Sequence, residues 1–385
     1  MLVCPLLVWL CRVFHLWPTG FADHSPRDLA ARAILAGGFN LFLALFLGPR
    51  FIAWLRDRFR ESIDSPSPDI QRLHAHKQAT PTMGGLGIVA AICGSLALLA
   101  DWRNPLVPLA LFVSVGLGCV GLADDLTKIH GRRRGISARA KLAGQLAVTA
   151  VAALVLYWVQ TDVPNGLLLK LPFGLGRGPI DVGIWFVPLA MFVIVGSSNA
   201  VNLTDGLDGL AGGCLVASFG SLAVIAWLTG HEIAVVAAAA LGAVLGFLRF
   251  NRHPAAVFMG DTGSLPLGGL LGLVALAVRQ ELLLIVLGGV FVAEAASVIA
   301  QVVSFRSTGR RIFLCAPLHH HFQMRGWSEG KIVARFWLAA MLCAACGLGA
   351  WAAGNGTAGT GVVTRVASTD QNVGLLRSHP ARARQ

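Results

Sequence analysis

Apolar runs of membrane-crossing length recur about ten times along this chain of 385 residues, and between them the sequence turns abruptly polar. About 20 apolar residues in a helix cover the ~30 Å of a bilayer's hydrocarbon layer. Inside that layer each backbone N–H and C=O must find a partner within the protein, so such a chain folds as a bundle of helices. The runs fall near 31–55, 83–99, 105–120, 138–159, 184–196, 214–228, 233–248, 265–278, 282–303 and 332–351. A composition of 55% hydrophobic and 13% charged residues, with a mean hydropathy of +0.69, excludes a soluble globular protein of this size. The expected fold is all-α, a polytopic integral membrane protein of about ten transmembrane helices, with one domain over 1–354 and a disordered tail over 355–385. Residues 1–20 read as an interfacial helix, because the charge of Arg12 follows the apolar run and no small-residue cleavage site succeeds it.

The formal net charge of +12 raises nucleic acid as a partner, but Lys and Arg form no continuous basic face and nucleic acid is excluded. They gather instead in alternate loops. Those after odd-numbered runs carry Arg56, Arg58, Arg60, Arg72, Lys77, Lys128, Arg132, Arg133, Arg134, Arg139, Lys141, Arg249, Arg252, Arg306, Arg310, Arg311, Arg325, Lys331 and Arg335. The other loops hold Arg103, Lys170, Arg177 and Arg279. The positive-inside rule then makes the odd loops cytoplasmic and both termini external. Seven of the eight cysteines lie in or beside apolar runs, so neither a disulfide framework nor a zinc site is indicated.

Polar clusters stand out at the ends of the runs. Asn199-Ala-Val-Asn-Leu-Thr-Asp-Gly-Leu-Asp-Gly-Leu-Ala-Gly-Gly213 puts two amides, a hydroxyl and two carboxylates between apolar segments, and its glycines favour a short loop entering the next helix. Asp124 and Asp125 sit side by side at the end of the third run, ahead of a basic cluster. Adjacent side chains diverge around a helix, so the pair suits a metal or two separate groups, or is a solvated interfacial pair. Lys77 and Thr82 precede the Gly84-Gly85 opening of a helix, a place suited to an anion or to a simple cytoplasmic anchor. Asp261, in Gly260-Asp-Thr-Gly-Ser264, is a ligand or an N-cap. Asn251 and Phe258 form an amide and aromatic platform for a flat ring, or merely pack. His319, His320 and His321 lack further ligands at zinc spacing and fit phosphate oxygens better. Glu294, inside the ninth run, is a buried charge that needs a partner or a cavity.

All the clusters outside the runs fall on the side assigned as cytoplasmic, which scattered turn residues would not do. Carboxylates without thiolates, among anion-binding groups, point to Mg²⁺ and a phosphorylated substrate. A site at the bilayer boundary points to a lipid as the second substrate. Together they describe transfer of a phosphate-linked group from a soluble nucleotide to a lipid carrier. A transporter would hold its polar groups near the bilayer midplane, often in repeated halves, and a nucleotide-binding membrane scaffold would do no chemistry.

His74-x-x-Lys77-x-x-Thr-Pro-Thr-Met-Gly-Gly85, Asp124-Asp125-x-x-Lys128, the 199–211 stretch, Phe258-Met-Gly-Asp-Thr-Gly-Ser264 and Ala316-Pro-Leu-His-His-His-Phe322 resemble, in order, the phospho-N-acetylmuramoyl-pentapeptide transferases. These are a branch of the polyprenyl-phosphate N-acetylhexosamine-1-phosphate transferase superfamily, and the resemblance spans residues 28 to 351. Two departures are Ala79, where the family has Gly, and Leu126-Thr127 in place of a pair containing an aromatic. The resemblance implies reaction of UDP-N-acetylmuramoyl-pentapeptide with undecaprenyl phosphate to give lipid I and UMP, in peptidoglycan synthesis at the bacterial inner membrane, by a homodimer. It implies that Asp261 binds Mg²⁺ and that Asp124 and Asp125 are the essential acidic pair. Lys77, Asn251, Phe258 and Asp208 would hold the uridine, and Thr82, Asn202 and Asp205 would line the ribose and diphosphate path. Asn199 and the histidines, His319 first, would lie near the transferring phosphate. A relative acting on another donor, such as UDP-N-acetylglucosamine, is the alternative.

Overall fold

A computed structural model describes residues 26–59, 80–130, 135–171 and 180–374, with side chains from 27 to 354 within those spans. Lys77, the interfacial segment over 1–20 and Arg132 to Arg134 lie outside the described residues. The chain is a helical bundle: α1 (Pro26–Arg58), α2 (Gly85–Leu99), α3 (Leu106–Ile129), α4 (Ala138–Thr161), α5 (Phe186–Thr204), α6 (Leu210–Leu228), α7 (Ile233–Asn251), α8 (Asp261–Ala277), the short α9 (Leu284–Leu287), α10 (Gly289–Thr308), α11 (Leu318–Met324) and α12 (Glu329–Gly374). Among the described residues, eight helices are long and apolar enough to cross a membrane, and α2 and α8 are shorter apolar helices. The polytopic all-α reading therefore holds. One addition is a two-stranded antiparallel ribbon between α4 and α5, which pairs β1 (Leu168–Leu169) with β2 (Ile180–Asp181).

The centre of the bundle is α8, whose residues from Asp261 to Ala277 are all buried. A helix that is buried on every side needs neighbours that can come close, and small residues supply the room. A Cβ on Gly268 would stand 2.5 Å from the Ser197 carbonyl oxygen of α5. On the α3 side, a Cβ on Gly121 would stand 2.1 Å from the carbonyl oxygen of Asp261. The same device joins α1 to α7, where a Cβ on Gly242 would lie 1.9 Å from the Gly37 carbonyl oxygen. Nearby, Asn40 Nδ2 donates to Ser95 Oγ and to the Ala239 carbonyl, each at 2.9 Å, so its buried NH2 group ties three helices together.

Three boundaries depart from the sequence reading, each for a local reason. The third run continues to Ile129, so Asp124 and Asp125 lie inside α3; Lys128, 2.8 Å from Asp124 Oδ2, supplies the countercharge that the last turn needs. Residues Asn199 to Thr204 are helical, and only 205–209 form the loop, which ends at Gly209 with φ 78°. The ninth run breaks at Gly288 into α9 and α10.

The Gly121 contact meets backbone rather than a movable side chain, so Gly121→Ala has no cheap relaxation. Overpacking of this kind costs ~1–3 kcal/mol. The variant is expected to unfold at lower temperature than the wild type in the same detergent, by differential scanning fluorimetry.

Candidate active site

The clusters from α3, α5, α8 and the intervening loops meet at one end of the bundle. Asp125 is the pivot. The N-cap of α8 is Gly260, with φ 72°, which offers no side chain to the free N–H groups of the first turn. Asp125, arriving from α3, takes that role: Asp261 N donates to Oδ1 at 3.1 Å, while Thr262 N and Thr262 Oγ1 donate to Oδ2 at 2.9 and 2.7 Å. A Cβ at residue 260 would lie 2.6 Å from Asp125 Oδ2, so glycine is required there on both conformational and steric grounds.

Asp261 then projects from a fixed helix start. Its Oδ1 accepts from Asn202 Nδ2 at 2.7 Å, and its Oδ2 lies 2.5 Å from Lys141 Nζ and 3.2 Å from Lys128 Nζ. Asn202 also donates to Ser264 Oγ at 2.8 Å. Asp124 sits behind this wall, where its Oδ1 accepts from Ile136 N at 2.9 Å. Ligand oxygens of Asp124, Asp125 and Asp261 lie within 4.8 Å of one another.

A cleft of about 230 Å³ opens beside this cluster, lined among others by Thr82, Asp125, Lys128, Asn202, Asp205, Asp208, Phe258 and Asp261. Thr82 is buried, and its hydroxyl has no hydrogen-bond partner among the described residues. That leaves an oriented polar atom for a ligand. The wall that carries it is held by pairing of two segments: Phe258 N donates to Pro81 O, Gly84 N to Phe258 O and Gly85 N to Met259 O, each at 2.9 Å. Across the cleft, Asp208 Oδ2 lies 3.0 Å from His253 Nδ1 and accepts from Ala255 N at 3.1 Å. Asn251 lines the cleft, but its amide is used internally: Oδ1 accepts from Gly209 N and Nδ2 donates to Val257 O. It shapes the two loops around the cleft.

Not every expected residue reaches the cleft. Asn199 pairs with Gln145 through both amides, one helical turn away from Asn202. His320 Nδ1 contacts Gln323 Oε1 at 2.7 Å, and His321 Nδ1 accepts from Leu314 N at 3.1 Å; neither lines the cleft. The His319 and His320 rings lie 4.2 Å apart, while His321 turns toward Leu314. His319 alone is buried, with its ring against Gly206 of the cleft wall. Conversely, Lys141 and Ser264 join the site without having been singled out. Lys128 was legible, since it stands one turn beyond Asp124 on one helix; Lys141 comes from a separate helix and gave no local signal.

Carboxylates outnumber cations here: Asp124, Asp125, Asp205, Asp208 and Asp261 face Lys128 and Lys141. Burial holds the Asp205 carboxyl well above the ordinary carboxylate range, and the charges of Asp261, Asp125 and Asp208 push it the same way, opposed by Lys128. An anionic ligand entering this cleft needs added positive charge.

Residues 107–279 match the family model described as glycosyl transferase family 4. That segment holds Asp124, Asp125, Asn202, Asp205, Asp208 and Asp261, the residues that build the cleft. The match supports the polyprenyl-phosphate hexosamine-1-phosphate transferase superfamily and its general activity, transfer of a glycosyl-1-phosphate to a polyprenyl phosphate.

The raised Asp205 pKa has a definite sign in stability. Above the ordinary carboxylate range the folded protein holds a proton that the unfolded chain releases, so this contribution is lost as pH rises through the raised value. Asp205→Asn removes the proton exchange. In metal-free detergent its unfolding temperature is expected to fall less from pH 5 to pH 8 than that of the wild type.

Proposed function

We propose that this protein transfers phospho-N-acetylmuramoyl-pentapeptide from its UDP donor to undecaprenyl phosphate, yielding lipid I and UMP, the first membrane step of peptidoglycan synthesis in the bacterial inner membrane. The observation that carries this reading is the oxygen-only cluster of Asp124, Asp125 and Asp261 at the mouth of a membrane helix bundle, inside the segment that matches the transferase family. The five motifs read in the sequence, ending in His319 to His321, are what favour the muramoyl-pentapeptide donor.

The donor set fits Mg²⁺, since it is made of hard carboxylate oxygens without thiolate or imidazole. Asp261 would hold the ion in place of the two lysine contacts it makes now. When bound, Mg²⁺ neutralises charge on the donor's diphosphate oxygens. Around it Thr82, Asn202 and Asp205 would line the ribose and diphosphate path, while Phe258, on the same wall as Thr82, and Asp208, across the cleft, would hold the uracil ring.

The acceptor phosphate has its second pKa near ~6 and is mostly dianionic at neutral pH, so its oxygen attacks without a strong base. That oxygen forms the new bond to the donor β-phosphorus as the bond to the bridging oxygen breaks, and UMP leaves with that oxygen. Asp125, with both oxygens engaged by the start of α8, and Asp124, covered by Ile136, are both poorly free to act as nucleophiles. This favours direct attack over a phosphoenzyme. Lys128 and Lys141, now on Asp261, would counter negative charge as the phosphates crowd together. A homodimer belongs to this reading on the sequence resemblance alone.

Purified protein with Mg²⁺ and undecaprenyl phosphate is expected to release UMP from the muramoyl-pentapeptide donor at least ~10²-fold faster than from UDP-N-acetylglucosamine. The reverse preference would assign it to a different branch. Asp261→Ala is expected to lower that rate by ~10²-fold or more. With donor but no lipid, rapid-quench analysis should find no stoichiometric burst of UMP; a burst would establish a phosphoenzyme.

A further inference from the structure

Glu294 lies within α10 and is wholly buried, an expensive place for a carboxylate unless it serves another group. Its Oε1 accepts from His319 N at 3.3 Å and lies 3.2 Å from His319 Nδ1. The backbone N–H can only donate, so Oε1 accepts from it, and with Glu294 as carboxylate the ring proton belongs on Nδ1. His319 is 1% exposed, and its Nε2 has no hydrogen-bond partner among the described residues; nor does Glu294 Oε2. The free nitrogen is aimed at the cleft wall, since a Cβ on Gly206 would stand 2.3 Å from it. Gly206 lines the cleft between Asp205 and Asp208. An ion pair serving only to pin α11 to α10 would not leave a buried imidazole nitrogen unused beside the one residue type that lets it approach.

We propose that Glu294 is a positioning residue for the transfer reaction: it locks His319 in the tautomer with Nδ1–H, directs Nε2 at the Asp205–Gly206 wall, and balances the charge when Nε2 takes a proton from solvent to meet donor phosphate oxygens. This is the logic by which a buried carboxylate orients a catalytic imidazole and stabilises its charged form. The inference rests on the phosphotransfer reading given above, and its test has one arm that needs no turnover.

Glu294→Gln keeps an acceptor of the same reach and removes the charge. It is expected to unfold at the wild-type temperature and to keep the donor KM within about threefold, while kcat falls about 10- to 100-fold. In a His319→Gln background the same change should add less than about twofold. The second arm uses ¹⁵N-histidine protein in nanodiscs, with the His319 resonances assigned by their loss in His319→Gln. Wild type should show Nδ1 protonated, and UDP with Mg²⁺ should convert Nε2 to the protonated form; Glu294→Gln should abolish that conversion. An unchanged kcat in Glu294→Gln, a wild-type ring protonated on Nε2 alone, or an identical response to UDP in both proteins would overturn the proposal. Failure of wild type to use the muramoyl donor, with the nuclear magnetic resonance result as expected, would overturn the donor assignment and leave this one standing.

Discussion

One carboxylate holds the site to the fold. Asp125 belongs to α3, yet its hydrogen bonds go to the first turn of α8, where it does the work of an N-cap from another helix. The negative side chain also meets the positive end of the α8 dipole. Because Asp261 is the first residue of α8, whatever fixes that helix start fixes a residue that lines the cleft. Gly121 lets α3 come close enough for this, and Gly260 clears the space for the carboxylate. Structure and chemistry thus share one side chain, which explains why two adjacent aspartates behave so differently here. Asp125 is built into the scaffold, while Asp124 pairs with Lys128 and Ile136 behind it.

The electrostatics of the cleft are unbalanced on their own. Two lysines sit among five carboxylates, and burial together with its acidic neighbours pushes the Asp205 carboxyl well above the ordinary carboxylate range. Such a site is prepared for positive charge. Lys128 and Lys141 converge on Asp261 Oδ2, and in the proposed reaction their long flexible stems would let them turn to phosphate. The preorganisation lies in fixed carboxylates and helix termini, with the adaptable part confined to lysine.

Much of this could be read from the chain. Period, length and composition gave the membrane bundle, since a bilayer leaves few alternatives, and the distribution of Lys and Arg set the polar clusters on one side before any of them was placed. Thr82, Asn202, Asp205, Asp208, Asp261 and Phe258 do meet around one cleft. What local sequence could not carry was direction. The run His319 to His321 reads as one unit in one dimension, but in space the His319 and His320 rings stay 4.2 Å apart, His321 turns to Leu314, and it is His319 that meets Gly206. Asn199, expected near the transferring phosphate, faces Gln145. Asn251 looked like a ligand-binding amide and is spent on two loops. Lys141 entered from a distant helix with no pattern to announce it. Breaks were hidden too: Gly288 interrupts an apolar run that composition presents as continuous.

The burial of α8 along its whole length reaches beyond packing. Hydrophobic mismatch is felt by helices that touch acyl chains, which tilt or shift as the bilayer thickens or thins. With other helices around it, α8 takes its position, and that of Asp261 at its start, from protein neighbours rather than from acyl chains.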